Sequence, residues 1–237
     1  MPRLPARALA SFLAASLFLS PRAFAFEIPL ETHSVRDGYF FGQRGDEKLA
    51  RFLDTYSKHL SSPPAGAYIS EITLFTPYAQ VVDISRQKTL GYSAQQAEQD
   101  YKRRGDSLRV YVRIEFTATY GFLQAVESAN KAAREQRLVL QPFDFWRDFQ
   151  FLLSQDAKPT GLREADSDAT SGSLLARRIV DAEETGASAI YGDDGLTGAL
   201  VWLDYDAKDV TSDSISFEVT TPTGGHAVAS FDLARLR

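Results

Sequence analysis

With 237 residues, 31 acidic against 26 basic side chains and no cysteine, the chain is long enough for one sizeable core or two small ones, held without disulfides. The missing cysteines also rule out thiol catalysis, Cys-ligated zinc and a lipoprotein's acylated cysteine. The acidic balance argues against nucleic acid and anionic lipid as partners, because both reward clustered Lys and Arg.

Residues 1–25 read as a secretory signal peptide: the basic MPRLPAR, the apolar run ALASFLAASLFLS, then Ala23-Phe24-Ala25 as a small-x-small cleavage site before Phe26. The apolar run is shorter than the roughly 20 residues of a membrane span, and no later segment reaches that length. Because the leader carries Arg3, Arg7 and Arg22 and no acid, cleavage makes the chain three charges more negative. The expected product is periplasmic or secreted.

Val35, Tyr39 and Phe40 at helical spacing predict a short helix, against which Gly38, Gly42 and Gly45 weigh. Leu49, Phe52, Leu53, Tyr56 and Leu60 predict an amphipathic helix over 46–60, with Asp46 as N-cap and Pro63-Pro64 as the stop. YISEITLF (68–75) reads as a strand, and Thr76-Pro77 opens a helix with Tyr78, Val81, Val82 and Ser85 on one face. A second helix begins at Ser93, whose spacing to Gln96 suits a capping box, and ends at Gly105. The two form a helical insertion (77–104) between strands. Lys102-Arg103-Arg104 falls in the last turn, where cations suit the helix dipole.

From Leu108 to Phe116, apolar residues alternate with Arg109, Tyr111, Arg113 and Glu115, the pattern of an antiparallel sheet with one face in the core. Phe143, Phe145, Phe149, Phe151 and Leu153 predict a second half-buried strand, with Trp146 on its polar side. ESANKAAREQ is helix or loop, 158–172 reads as a surface loop, and LLARRIVDA (174–182) has no clear period. SAIYG, ALVWLDYD, ISFEVTT and HAVASFDL predict four strands joined by turns. The fold class expected is mainly β with α insertions (α+β): an antiparallel β-sandwich over 26–237, Ig-like in broad architecture, with N-terminal and inserted helices and an optional α+β front lobe over 26–140.

The chain lacks G-x-S-x-G, H-E-x-x-H and a Gly-rich phosphate loop, and His33, His59 and His226 lie far apart. His59 at a helix end and His226 after a turn have structural explanations, and His33 lies where order is least expected. An acid pair for glycoside hydrolysis would carry no mark in the sequence. Trp146, Tyr111, Arg109 and Arg113 form the candidate ligand face, since aromatic surfaces beside charges suit a glycan or a peptide. The competing account is that the 77–104 helices cover Tyr111 and Trp146 as core.

Asp204-x-Asp206-x-x-Asp209, with Asp193 and Asp194 from the neighbouring turn, is the calcium candidate, although it lacks the glycine and distal Glu of an EF-hand loop. Alternation offers another account. Val201, Leu203 and Tyr205 face the core, Trp202, Asp204 and Asp206 face solvent, and Asp209 and Asp213 bracket a turn.

The runs YISEITLFTPYAQVV, LRVYVRIEFT, VWLDYDAKDV and FDLARLR resemble uncharacterised exported bacterial proteins, a resemblance that implies a secreted architecture and supplies no catalytic residue. The expected function is a non-enzymatic structural or interaction role in the cell envelope, with an unknown envelope protein or glycan as partner and no cofactor other than the calcium just considered. Alternatives are a calcium-assisted glycan- or peptide-binding module and a hydrolase using an unmarked carboxylate pair.

Overall fold

A computed structural model describes residues 26–88, 90–117, 145–156, 177–192 and 195–237. Helices α1 (Thr32–Gly42) and α2 (Glu47–Asp54) precede strands β1 (Ser57–His59) and β2 (Ala67–Phe75). Helices α3 (Pro77–Gln87) and α4 (Ala94–Arg104) then lead into β3 (Ser107–Phe116). The remaining strands are β4 (Gln150–Asp156), β5 (Arg177–Val180), β6 (Glu184–Gly192), β7 (Gly195–Asp206), β8 (Ser214–Thr220) and β9 (His226–Asp232). They form two antiparallel sheets, ordered β1-β2-β3-β7-β6 and β5-β4-β8-β9. The architecture is mixed α+β, mostly strand, with neither sheet closed.

Strand alternation makes the core. Leu108, Val110, Val112 and Ile114 of β3 join Ile72, Leu74, Val201, Leu203 and Tyr205 from the same sheet. Leu153, Val180, Ile215, Phe217, Val219 and Phe231 of the second sheet belong to the same apolar cluster. The four β3 side chains are wholly inaccessible, so each contributes about 1.5–3 kcal/mol of transfer energy.

The helices build a second cluster of Leu30, Val35, Leu49, Tyr78, Val81, Val82, Ala97 and Tyr101. Their ends follow local chemistry: Asp46 accepts from the Leu49 amide, Thr76 from Ala79, and Ser93 and Gln96 form a reciprocal capping box. Gly105, at φ +76°, turns the chain after α4. Two of the glycines that weigh against α1, Gly38 and Gly42, act instead in packing. A Cβ on Gly42 would lie 2.3 Å from the Val82 carbonyl oxygen and 2.8 Å from Ser85 Cβ, so α1 and α3 meet backbone to backbone there. His33 is part of this helix.

Three expectations are corrected. The helix expected over 46–60 ends at Asp54, and His59 lies in β1. The cause is tertiary: Tyr56 is buried, its carbonyl accepts from the Leu74 amide, and its hydroxyl bonds both the N–H and the C=O of Arg237. Of the strand expected from Phe143 to Leu153, the described part begins at Gln150, because Phe145–Asp148 forms a 3-10 turn that tucks Phe145 into the core; Phe143 lies outside the described residues. Asp204, expected at the solvent, is only 7% exposed because an arginine covers it. LLARRIVDA contains β5; residues 1–25, ESANKAAREQ and 158–172 lie outside the described residues.

Gly42→Ala is expected to lower stability by about 1–3 kcal/mol through overpacking against α3, read as a reduced urea midpoint. Burial pushes the phenols of Tyr56 and Tyr92 up to about 12 and raises Tyr101 and Tyr205 as well, with Asp100 reinforcing Tyr92 and Asp106 reinforcing Tyr101. A raised acid pKa favours the neutral folded form, so this stabilisation is complete below pH ~10, the unfolded tyrosine value. It is expected to disappear as pH rises through 12, with phenolate absorbance appearing together with loss of near-ultraviolet dichroism.

Candidate functional site

The outer face of the β1-β2-β3-β7-β6 sheet is built in rows set by strand register. Arg113 lies between Glu71 of β2 and Leu200 of β7, Tyr111 between Thr73 and Trp202, and Arg109 between Phe75 and Asp204. Trp202 pairs with Gly186 of β6, where a Cβ would lie 2.4 Å from the indole ring, so only glycine lets the ring lie down on the sheet. Beside these rows opens a cleft of about 250 Å³ lined by Glu71, Thr73, Phe75, Tyr111, Arg113 and Leu200 from the sheet and Asp83, Arg86 and Gln87 from α3.

Most polar groups in the cleft are committed to one another. Glu71 Oε1 accepts from the Ser57 hydroxyl at 2.8 Å and the Thr73 hydroxyl at 2.9 Å. Asp83, buried in the second half of α3, accepts from Arg86 at 2.8 Å through Oδ1 and from Gln87 at 2.6 Å through Oδ2. Arg113 differs: its ion contact is Glu71 Oε2, 3.8 Å from Nε, beyond hydrogen-bonding distance.

One row away, Arg109 forms a two-pronged pair with Asp204, Nε to Oδ1 and Nη2 to Oδ2 both at 2.6 Å. This carboxylate raises the Arg109 pKa further, outweighing the opposite effect of burial. Burial, with the Arg109 charge second, lowers the pKa of Arg104, whose guanidinium donates to Gln80 Oε1 at 3.0 Å.

A larger hollow of about 560 Å³ is lined by Asp37, Phe40, Phe41, Arg44, Phe52, Tyr78 and Arg237. Its cations are taken: Arg44 pairs with Asp46 at 2.8 Å, and Arg237 lies over the Tyr78 ring at 4.3 Å and beside Asp37 at 3.4 Å. The smaller cleft is therefore the better candidate.

Of the residues selected from sequence, Tyr111 and Arg113 line the cleft, Arg109 shares their face but is engaged by Asp204, and Trp146 is elsewhere. Trp146 sits in the 3-10 turn, half-buried, its ring 5.4 Å from that of Phe145. Neither Tyr111 nor Trp146 is fully covered by the inserted helices. Sequence reasoning missed Glu71 and Thr73, although alternation in YISEITLF places them beside Tyr111 and Arg113. It also missed Asp83, Arg86 and Gln87, whose i, i+3, i+4 spacing on a helix was readable.

Among the acids considered for calcium, Asp204 has both oxygens on Arg109, and Asp206 Oδ1 accepts from the Lys208 amide at 2.9 Å, capping the 3-10 turn that contains Asp209. Asp193 and Asp194 lie outside the described residues. Among the described residues no three His, Cys, Asp or Glu side chains are grouped to hold a metal ion. His33, His59 and His226 are exposed beside Glu31, Asp54 and Glu218.

Asp204→Asn is expected to cost about 1–3 kcal/mol, because it leaves Arg109 partly buried beside Arg104 without a counter-charge; the value is discounted for partial exposure. Urea denaturation measures it. The melting temperature is expected to be the same in millimolar calcium as in chelator, whereas a calcium ion held only by the folded state would raise it. Comparison of the chain with protein-family models, curated proteins and solved structures found no match.

Proposed function

We propose that the chain is an exported protein of the cell envelope, cleaved after Ala25, with a non-enzymatic interaction role exercised through the cleft beside α3. The basic, apolar and small-x-small order of residues 1–25 supports export. Two sheets sharing one apolar cluster support an Ig-like sandwich arrangement in a single domain. No described helix is long and apolar enough to cross a membrane.

The observation that carries the binding reading is the meeting of Tyr111, Phe75 and Leu200 with the loosely partnered Arg113 in one concave site. Apolar lining with a few convergent polar groups is the usual composition of a recognition site. A glycan or a peptide of the envelope is the ligand class that such a surface suits.

A hydrolase reading draws on Glu71 and Asp83, two carboxylates lining the same cleft. Glu71 Oε1 accepts two hydroxyl hydrogen bonds and Asp83 is held by Arg86 and Gln87. Positions fixed this way suit scaffolding better than proton transfer to a substrate.

The test is capture of radiolabelled envelope fragments by the leaderless chain and by Tyr111→Ala and Arg113→Ala variants that melt like the parent. Retention by the parent and its loss in both variants is expected. Equal retention by all three would remove the cleft from the function. Release of fragments that stops with Glu71→Gln would instead establish the hydrolase.

A further inference from the structure

Taking the cleft as the binding site, we infer that it holds the C-terminal carboxylate of a peptide, gripped by Arg113, with the terminal apolar side chain against Leu200, Phe75 and Tyr111.

The inference starts from unequal partnering of two arginines on one strand face. Arg109 has its fork filled by Asp204 at 2.6 Å on both prongs. Arg113, four residues on, has Glu71 at 3.8 Å as its ion contact among the described residues, and its side chain is 42% exposed. Glu71 is held away from a tighter pairing because its Oε1 is the acceptor for Ser57 and Thr73. The Arg113 fork therefore faces the cleft with donors in reach of a ligand, and the planar carboxylate is the group it matches in two-pronged fashion.

Charge balance separates a carboxylate from a phosphate. The cleft is lined by two guanidiniums, Arg86 and Arg113, and two carboxylates, Glu71 and Asp83. A monoanion on Arg113 adds one negative charge to a balanced set, while a phosphate dianion adds two within a few ångströms of Glu71, where repulsion at an effective dielectric near 20 is several kcal/mol. Arg86, half exposed and tied to Asp83 through Nη2 alone, flanks the opening as a second cation.

The rest of the lining separates a peptide end from a sugar acid. A uronate surrounds its carboxylate with hydroxyls that need partners, yet the Thr73 hydroxyl donates to Glu71, the Gln87 amide donates to Asp83, and each Asp83 oxygen already accepts one hydrogen bond. Leu200 and Tyr111 next to Arg113, with Phe75 farther along the same cleft, offer apolar and aromatic surface. Burying an unpaired hydroxyl costs about 1–3 kcal/mol, whereas an aliphatic side chain placed there gains. At about 250 Å³ the cleft is smaller than the ~300 Å³ at which sites for drug-sized ligands begin, so it seats a chain end.

Calorimetric titration of the leaderless chain with N-acetyl-glycyl-leucine, with its C-terminal amide and with methyl glucuronide tests the inference. The acid is expected to bind, the amide and Arg113→Gln each to weaken it about 10- to 100-fold, the loss of one charge-assisted contact, and Arg113→Lys to fall between. Circular dichroism and melting of each variant confirm its fold. Amide binding equal to acid, undiminished binding by Arg113→Gln, tighter binding of the glucuronide, or no acid binding at millimolar concentration overturns the inference. If the acid fails while envelope fragments are still captured through Tyr111 and Arg113, the peptide end falls and the cleft stands. If that capture is also indifferent to both residues, both readings fall.

Discussion

The strict alternation of β3 is the constraint on which core and cleft both depend. Its even-numbered residues from Leu108 to Ile114 are sealed between the sheets, and its odd-numbered residues from Arg109 to Glu115 pave the opposite face. Side-chain direction in a strand has a period of two, so a slip of one residue against β2 or β7 would bury Arg109 and Arg113 and expose four aliphatic side chains. Core burial of several kcal/mol thus fixes the register that places Tyr111 between Thr73 and Trp202. The site is accurate because the core is.

On that face the same chemistry yields two different outcomes. Arg109 and Asp204 stand directly opposite on neighbouring strands and close into a two-pronged pair that is largely desolvated. Such a pair gains little net stability over apolar residues but is costly to break, since either partner alone is an uncompensated charge. Arg113 and Glu71 also stand opposite, yet hydroxyls from β1 and β2 draw the carboxylate aside. The first pair rigidifies the sheet and the second leaves a cation under-used. An interaction surface needs both, a stiff platform and a group with unspent hydrogen-bonding capacity.

What was legible in the sequence follows the range of the forces involved. Local signals carried through: Asp46 and Ser93 cap their helices where expected, Thr76-Pro77 opens α3, Gly105 ends α4, and the alternation of β3 is as read. Long-range packing was not legible. Tyr56 fits the apolar stripe of a helix extended to Leu60, yet hydrogen bonds to Leu74 and Arg237 draw it into the junction between helices and sheet. Phe145 fits a strand pattern, but a 3-10 turn brings it to the core and carries Trp146 with it. Asp204 reads as a solvent residue until its neighbour on β3 is known to be Arg109, 95 positions earlier. The cleft was half legible for the same reason: Tyr111 and Arg113 announce themselves on one strand, while Asp83, Arg86 and Gln87 join them only because α3 folds back over the sheet.

That return of α3 ties the cleft to the helical layer. Two grips hold the helix: its Val82 carbonyl and Ser85 Cβ against Gly42 of α1, and the Gln80 amide, which donates to the Ser107 carbonyl at 2.6 Å and the Phe75 carbonyl at 3.3 Å. Gln80 Oε1 in turn accepts from Arg104 at 3.0 Å, so the end of α4 is bound into the same joint. Asp83, Arg86 and Gln87 lie within a turn of these grips and share their rigidity. A substitution that pries α1 from α3 therefore moves one wall of the cleft relative to the sheet that forms the other. A displacement of about 1 Å is enough to spoil a two-pronged contact. The glycines of α1, which look like helix breakers when α1 is considered alone, are what let the two walls stand at a fixed distance.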